Sequence, residues 1–243
     1  MKKIRNPHDI IDAFVSDYKN AFEERLISVI MYGSAVTHEY KPGESDINML
    51  IIVSDNSIAQ IAKCLKIQEK WKRYRVTTPF YMTPEFIHTA CDTYPLEFID
   101  IRSNYRVLFG DDMFQALEIK LEHIRLQCER ELRGISLHLR RSYVDNASQD
   151  KILVQLLKTS ISRLVPIFKG LLILKSRPIP KSKADIISSV EDAFNFGASV
   201  LSRIYLSDSK KLKNQHDSIF ESYSQAIDKL IALIDLQERG AKQ

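Results

Sequence analysis

Between residues 8 and 26, Ile10, Ile11, Phe14, Val15 and Tyr18 recur at three- and four-residue spacing, which predicts an amphipathic helix. The next apolar run, LISVIMYG at 26–33, is short, rich in β-branched residues and closed by glycine, the marks of a buried strand. INMLIIV at 47–53 is a second run of the same kind. A helix is predicted over 57–74, with Ile58, Ile61, Ala62, Leu65 and Trp71 on one side. RVTTPFYMT at 75–83 predicts a third strand, and Pro79 within it points to an edge or an irregular stretch. LEFIDI at 96–101 and YRVLFG at 105–110 read as shorter strand-like pieces.

From Asp112 the pattern changes. Segments 112–145, 148–176, 183–206 and 216–238 carry apolar positions at helical spacing, separated by DNASQD, SRPIPKSK and SDSKKLKNQ. Pro166 is expected to kink the second of them. The predicted class is therefore α+β. A mixed β-sheet domain with flanking helices spans 1–111, and an antiparallel bundle of four or five helices spans 112–243.

Composition narrows the chemistry. The chain has 243 residues, 44% hydrophobic and 27% charged, the balance of a water-soluble globular protein. Its formal charge of +4 permits an anionic partner without demanding one. Three scattered cysteines, Cys64, Cys91 and Cys128, fit neither a disulfide framework nor a zinc site and are read as reduced thiols of a cytoplasmic protein. The most apolar run, LVPIFKGLLILK at 164–175, is interrupted by Lys169 and too short for a membrane span.

The stretch YGSAVTHEYKPGESDINMLIIV at 32–53 carries the candidate chemistry. Gly33 at a strand end allows a tight turn that presents backbone N–H groups, and Ser34 adds a hydroxyl; both suit a phosphate. On the next strand, side chains two apart share a face, so Asp46 and Asn48 project together while Ile47 enters the core. Two oxygen ligands beside a phosphate cradle suit Mg²⁺ and a triphosphate.

An apolar residue, Gly-Ser, a gap, and an acid opening the next strand together resemble the motif of the polymerase-β-like nucleotidyltransferase superfamily. The helix after that strand, the PEFI turn at 84–87, the YPLEF segment at 94–98 and the helical second half are similar in layout to its aminoglycoside branch. The resemblance implies a protein that binds Mg²⁺–NTP and transfers a nucleoside monophosphate to an acceptor hydroxyl or phosphate. It further implies that Gly33 and Ser34 grip phosphate, that Asp46 bridges metals, and that Asn48 holds the place of a second acid. A small-molecule acceptor is expected rather than a nucleic acid, no membrane partner is expected, and a homodimer is compatible with the branch.

The motif departs from the pattern in its charges. Asn48 supplies an amide oxygen but no negative charge, which weakens a divalent site. The third strand, where a further acid would be expected, offers only Arg75, Thr77 and Thr78. Asp100 is the candidate replacement as catalytic and metal-binding carboxylate, with Glu97 as the alternative. A strand over 96–101 would set these two on opposite faces. Three readings stand. The chain is a nucleotidyltransferase with a weakened metal site, an inactive nucleotide-binding or regulatory protein, or an interaction module working through its helices.

Overall fold

The computed structural model describes residues 4–147, 149–196, 200–213 and 216–240. The chain divides into two compact units, Met1–Ile119 and Lys120–Gln243. The first combines a four-stranded mixed sheet with helices, and the second is helical, so the protein is α+β.

In the first unit, a short 3-10 turn at Pro7–Ile10 leads into α1 (Ile11–Phe22), the helix expected from the spacing. Strand β1 (Leu26–Tyr32) and strand β2 (Asn48–Val53) coincide with the two apolar runs. They pair antiparallel, with Tyr32 opposite Asn48 at the end nearest the Gly33 turn. Helices α2 (Ile58–Ile61) and α3 (Leu65–Lys72) follow, joined by a 3-10 turn over Ala62–Cys64. Trp71 is buried there, but Ile58 and Leu65 are 82% and 65% exposed, so the single apolar stripe expected over 57–74 is not formed. The 3-10 turn changes the angular period and takes these two side chains off the core-facing side.

Strand β3 (Phe80–Met82) lies at the sheet edge beside β2 and parallel to it, the placement Pro79 suggested. Helices α4 (Pro84–Thr89) and α5 (Pro95–Ser103) precede β4 (Tyr105–Gly110), which pairs antiparallel with β1 and completes the order β3-β2-β1-β4. The segment read as a strand over 96–101 is the helix α5. Its apolar residues Leu96, Phe98, Ile99 and Ile101 are all buried, and Pro95 in the first turn favours the helical start. A run buried nearly all round shows neither helical nor strand periodicity, which explains the misreading.

Both sheet faces are covered. Val29, Met31, Ile47, Met49, Ile51 and Val53 pack with Phe14, Tyr18 and Phe22 of α1 and with Trp71. On the other side Ile30, Leu50 and Ile52 pack with Ile87, Phe98, Ile101 and Phe114. Phe114, Leu117 and Ile119 thus belong to this unit's core although they follow the last strand. Burial on both faces accounts for the continuous apolar runs of β1 and β2.

The second unit contains α6 (Leu121–Asn146), α7 (Asp150–Arg163), α8 (Val165–Leu174), α9 (Lys183–Ala193), α10 (Val200–Leu206), α11 (Ser209–Lys213) and α12 (His216–Gly240). The long apolar segment around Pro166 forms two helices rather than one kinked helix. Pro166 sits in the first turn of α8, where its missing N–H has no helical acceptor to lose. Phe168, Leu171 and Leu172 on α8 are fully buried, and α8 packs against both α6 and α9. The buried Glu191 of α9 closes the start of α10: one carboxylate oxygen accepts from the Leu201 and Ser202 N–H groups at 2.8 and 3.1 Å, the other from the Ser202 hydroxyl.

Candidate functional site

The residues flagged in 32–53 meet at one end of the sheet in the first unit. Strand β1 ends at Tyr32, and the chain turns through a short 3-10 segment, Gly33–Val36. Gly33 has φ +76°, a left-handed conformation that glycine adopts without steric cost. A Cβ there would stand 3.2 Å from Asn48 Nδ2, a tight contact that adds to the conformational preference for glycine. The Gly33 N–H donates to the Asn104 carbonyl at 2.8 Å, fixing the turn against the start of β4. The Ser34 carbonyl accepts from the Thr37 N–H and hydroxyl at 3.0 and 3.1 Å, which closes the turn on itself.

Across the strand, the segment before β3 decides what the second motif can do. Ile47 forms a parallel bridge with Val76, and the Ile47 N–H and carbonyl bond to the Arg75 carbonyl and the Thr77 N–H at 2.9 and 3.0 Å. This register places Arg75 beside Asp46 and Thr77 beside Asn48. Arg75 Nη2 lies 2.9 Å from Asp46 Oδ1. Its Nε donates to the Ser45 carbonyl at 3.2 Å and its Nη2 to the Glu44 carbonyl at 2.5 Å. The Thr77 hydroxyl donates to Asn48 Oδ1 at 3.0 Å. Thr78 turns elsewhere, accepting from Gln68 Nε2.

Arg75 holds φ +63°, a strained conformation for a residue with a side chain, costing on the order of 1–2 kcal/mol. Its side chain makes three contacts to residues 44–46. Tyr40 lies close enough for Arg75's charge to oppose the upward push that burial gives its phenol.

Asp100 is placed by α5, which packs on the Gly33–Val36 turn. Burial, reinforced by the Asp100 carboxylate, pushes the Tyr32 phenol up to about 12, so Asp100 lies within electrostatic reach of Tyr32. On a helix Glu97 and Asp100 are neighbours on one side, not on opposite faces as a strand would set them. Asp100 is half-buried and Glu97 exposed.

The donor set does not fit a two-metal centre. Among the described residues no group of three or more His, Cys, Asp and Glu side chains is positioned to hold a metal ion. Asp46 faces a guanidinium, and the Asn48 amide oxygen accepts from Thr77 while its nitrogen is turned toward Gly33. Mg²⁺ is usually held by one or two carboxylates together with waters and substrate phosphates, and here the one carboxylate is paired with a guanidinium and its neighbouring amide oxygen accepts from Thr77.

With that geometry in place, comparison with known proteins becomes informative. No protein-family model matches the chain, and no curated protein sequence matches it significantly. Among solved structures, spectinomycin adenyltransferase AAD(9) from Enterococcus faecialis, solved with ATP and spectinomycin, superposes with a TM-score of 0.51. The match covers 89% of this chain and 100% of that one, at 13% identity. The chain shares the overall fold of that protein. At that identity the likeness establishes architecture and leaves the chemistry to the residues themselves.

Arg133 binds Glu129 and Asp235, Arg140 binds Asp228, and Arg125 binds Glu129, so these arginines of α6 serve ion pairs. A cavity of about 430 Å³ along α6 and α12 is lined by Arg140, Tyr143, Asp217, Phe220, Glu221 and Asp228 among others, an acidic wall ill suited to phosphate. No helix among the described residues is long and apolar enough to cross a membrane.

The residues that sequence reasoning undervalued are Arg75 and Thr77. The sequence shows them only as non-acidic residues where a third-strand acid is expected. Their pairing with Asp46 and Asn48 follows from the parallel register at Ile47 and Val76, which the sequence does not display.

Proposed function

We propose that this chain is a nucleotide-binding protein of nucleotidyltransferase fold that does not carry out two-metal nucleotidyl transfer. The observation that carries this reading is the double pairing at the sheet end, Arg75 with Asp46 and Thr77 with Asn48. It engages both side chains that a catalytic metal would need, while the Gly33–Ser34 turn keeps the left-handed glycine suited to close approach of a phosphate. ATP is the first nucleotide to try, because the similar solved structure contains it; spectinomycin in that structure likewise supports a small polar molecule over a nucleic acid as second ligand. Nucleotidyl transfer through Asp46, Asn48 and Asp100 would require Asp46 to leave Arg75 and Asp100 to join it at a shared ion.

The test is a thermal-shift series with ATP, GTP, CTP and UTP, run beside an assay for pyrophosphate release in the presence of small-molecule acceptors. The reading expects a rise in melting temperature with at least one nucleotide and no pyrophosphate. Pyrophosphate release that Asp46→Asn abolishes would replace this reading with the enzymatic one. No shift with any nucleotide would end it.

A further inference from the structure

We infer that Arg75 is the resident cation of this site, its guanidinium holding the place that a divalent ion takes in a carboxylate cluster. The inference concerns the unliganded site and rests on the proposed nucleotide-binding reading only for the phosphate that Arg75 would face.

Three features converge. First, the charges close without an ion. Asp46 contributes one negative charge, Arg75 one positive charge, and Asn48 none. An acid at position 48 would leave the cluster net negative, whereas the amide leaves it balanced. A divalent ion added to the present set would be opposed by Arg75 at the distance of a bonded neighbour. Asn48 and Arg75 together therefore leave the cluster neutral without an ion.

Second, the guanidinium is fixed rather than merely nearby. Nε and Nη2 donate to the Ser45 and Glu44 carbonyls and to Asp46, so three consecutive residues of the loop entering β2 hold it. Its side chain is 25% exposed, against 53% for Asp46. Among the described residues Nη1 has no hydrogen-bond partner, leaving one edge of the fork open to an incoming acceptor such as a phosphate oxygen. Third, the position is conformationally expensive. A non-glycine residue at φ +63° persists where the surroundings demand that side chain, and here the surroundings are the carboxylate and the two carbonyls.

The experiment is a Mn²⁺ titration of nucleotide-free protein, read by the electron paramagnetic resonance signal of free Mn²⁺. Wild type is compared with Asn48→Asp, Arg75→Gly and the double variant. Glycine is chosen at 75 because it accepts the positive φ without strain, so loss of the guanidinium is separated from loss of the backbone conformation. Circular dichroism confirms folding. The inference expects no saturable Mn²⁺ binding by wild type and at least tenfold tighter binding by the double variant than by Asn48→Asp alone. Saturable wild-type binding that Asp46→Asn removes would overturn it, whether or not the variants fold. A folded double variant that binds Mn²⁺ no better than Asn48→Asp would overturn it as well. Because no nucleotide is present, these outcomes are independent of the thermal-shift series: a chain that ignores every nucleotide yet gains Mn²⁺ in the double variant would sink the functional reading and leave Arg75 as the resident cation.

Discussion

Thr77 and Asn48 face each other across the junction of β2 with the segment before β3, the Thr77 hydroxyl donating to Asn48 Oδ1 at 3.0 Å. The bond fixes the amide so that its nitrogen, not its oxygen, is turned toward Gly33. In this arrangement the amide oxygen of Asn48 is engaged by a protein hydroxyl.

Removing the donor should therefore release the amide. Thr77→Val is expected to lower unfolding free energy by about 1 kcal/mol, the usual net value of a half-buried hydrogen bond. Urea unfolding of the variant checks this. The same variant should not gain divalent-ion affinity, because Arg75 still occupies Asp46.

Gly33→Ala tests the turn. The positive φ and the 3.2 Å approach of Asn48 Nδ2 both oppose a methyl group there. A loss of about 1–2 kcal/mol in stability is expected from the left-handed conformation alone. Loss of the nucleotide-induced thermal shift is expected with it, while Ala35→Gly in the same turn should leave that shift in place.

Tyr32 supplies a pH prediction. Burial first, and the Asp100 carboxylate second, raise its phenol from 10.0 to about 12. A folded-state value above the unfolded one means that the contribution is fully present below pH 10 and is lost as pH rises toward 12. Tyr32→Phe should thus lose less stability than wild type as pH rises from 10 toward about 12, the window set by the ordinary and the raised value. Asp100→Asn should bring the phenol down only in part, because burial is the larger cause. Urea unfolding across that range reads the first effect, and ultraviolet difference titration of wild type and Asp100→Asn, each against its Tyr32→Phe counterpart, reads the second.

In the second unit, Glu191 holds the first N–H groups of α10 from a position 4% exposed. Glu191→Ala is expected to cost roughly 1.5–3 kcal/mol, the range for hydrogen bonds to a charged group. Glu191→Asp, too short to reach both N–H groups, should recover only part of it. Denaturant unfolding distinguishes the two, and neither should alter Mn²⁺ or nucleotide titrations.

Much of this was legible in the sequence. The runs ending at Tyr32 and Val53 declared their strands because both faces of the sheet are buried, and Pro79 declared an edge. The Gly33 turn was legible because glycine after a strand run has a specific steric use. Asp100 was misplaced because Leu96, Phe98, Ile99 and Ile101 are all buried, which leaves α5 without a clear helical stripe in a nine-residue segment. The partnership of Arg75 with Asp46 could not be read from spacing, since it depends on a parallel register between segments about thirty residues apart and on a backbone conformation that arginine rarely takes. Pattern locates elements well, but it does not show which cation faces which acid.

The most direct test of the central claim is a calorimetric titration with ATP, performed once in excess EDTA and once in Mg²⁺, on wild type and on the Asn48→Asp, Arg75→Gly double variant. The account predicts wild-type affinities that agree within a factor of two, and a double variant whose ATP binding becomes dependent on Mg²⁺. A wild-type affinity that falls tenfold or more in EDTA would mean that a divalent ion, not Arg75, faces the phosphates.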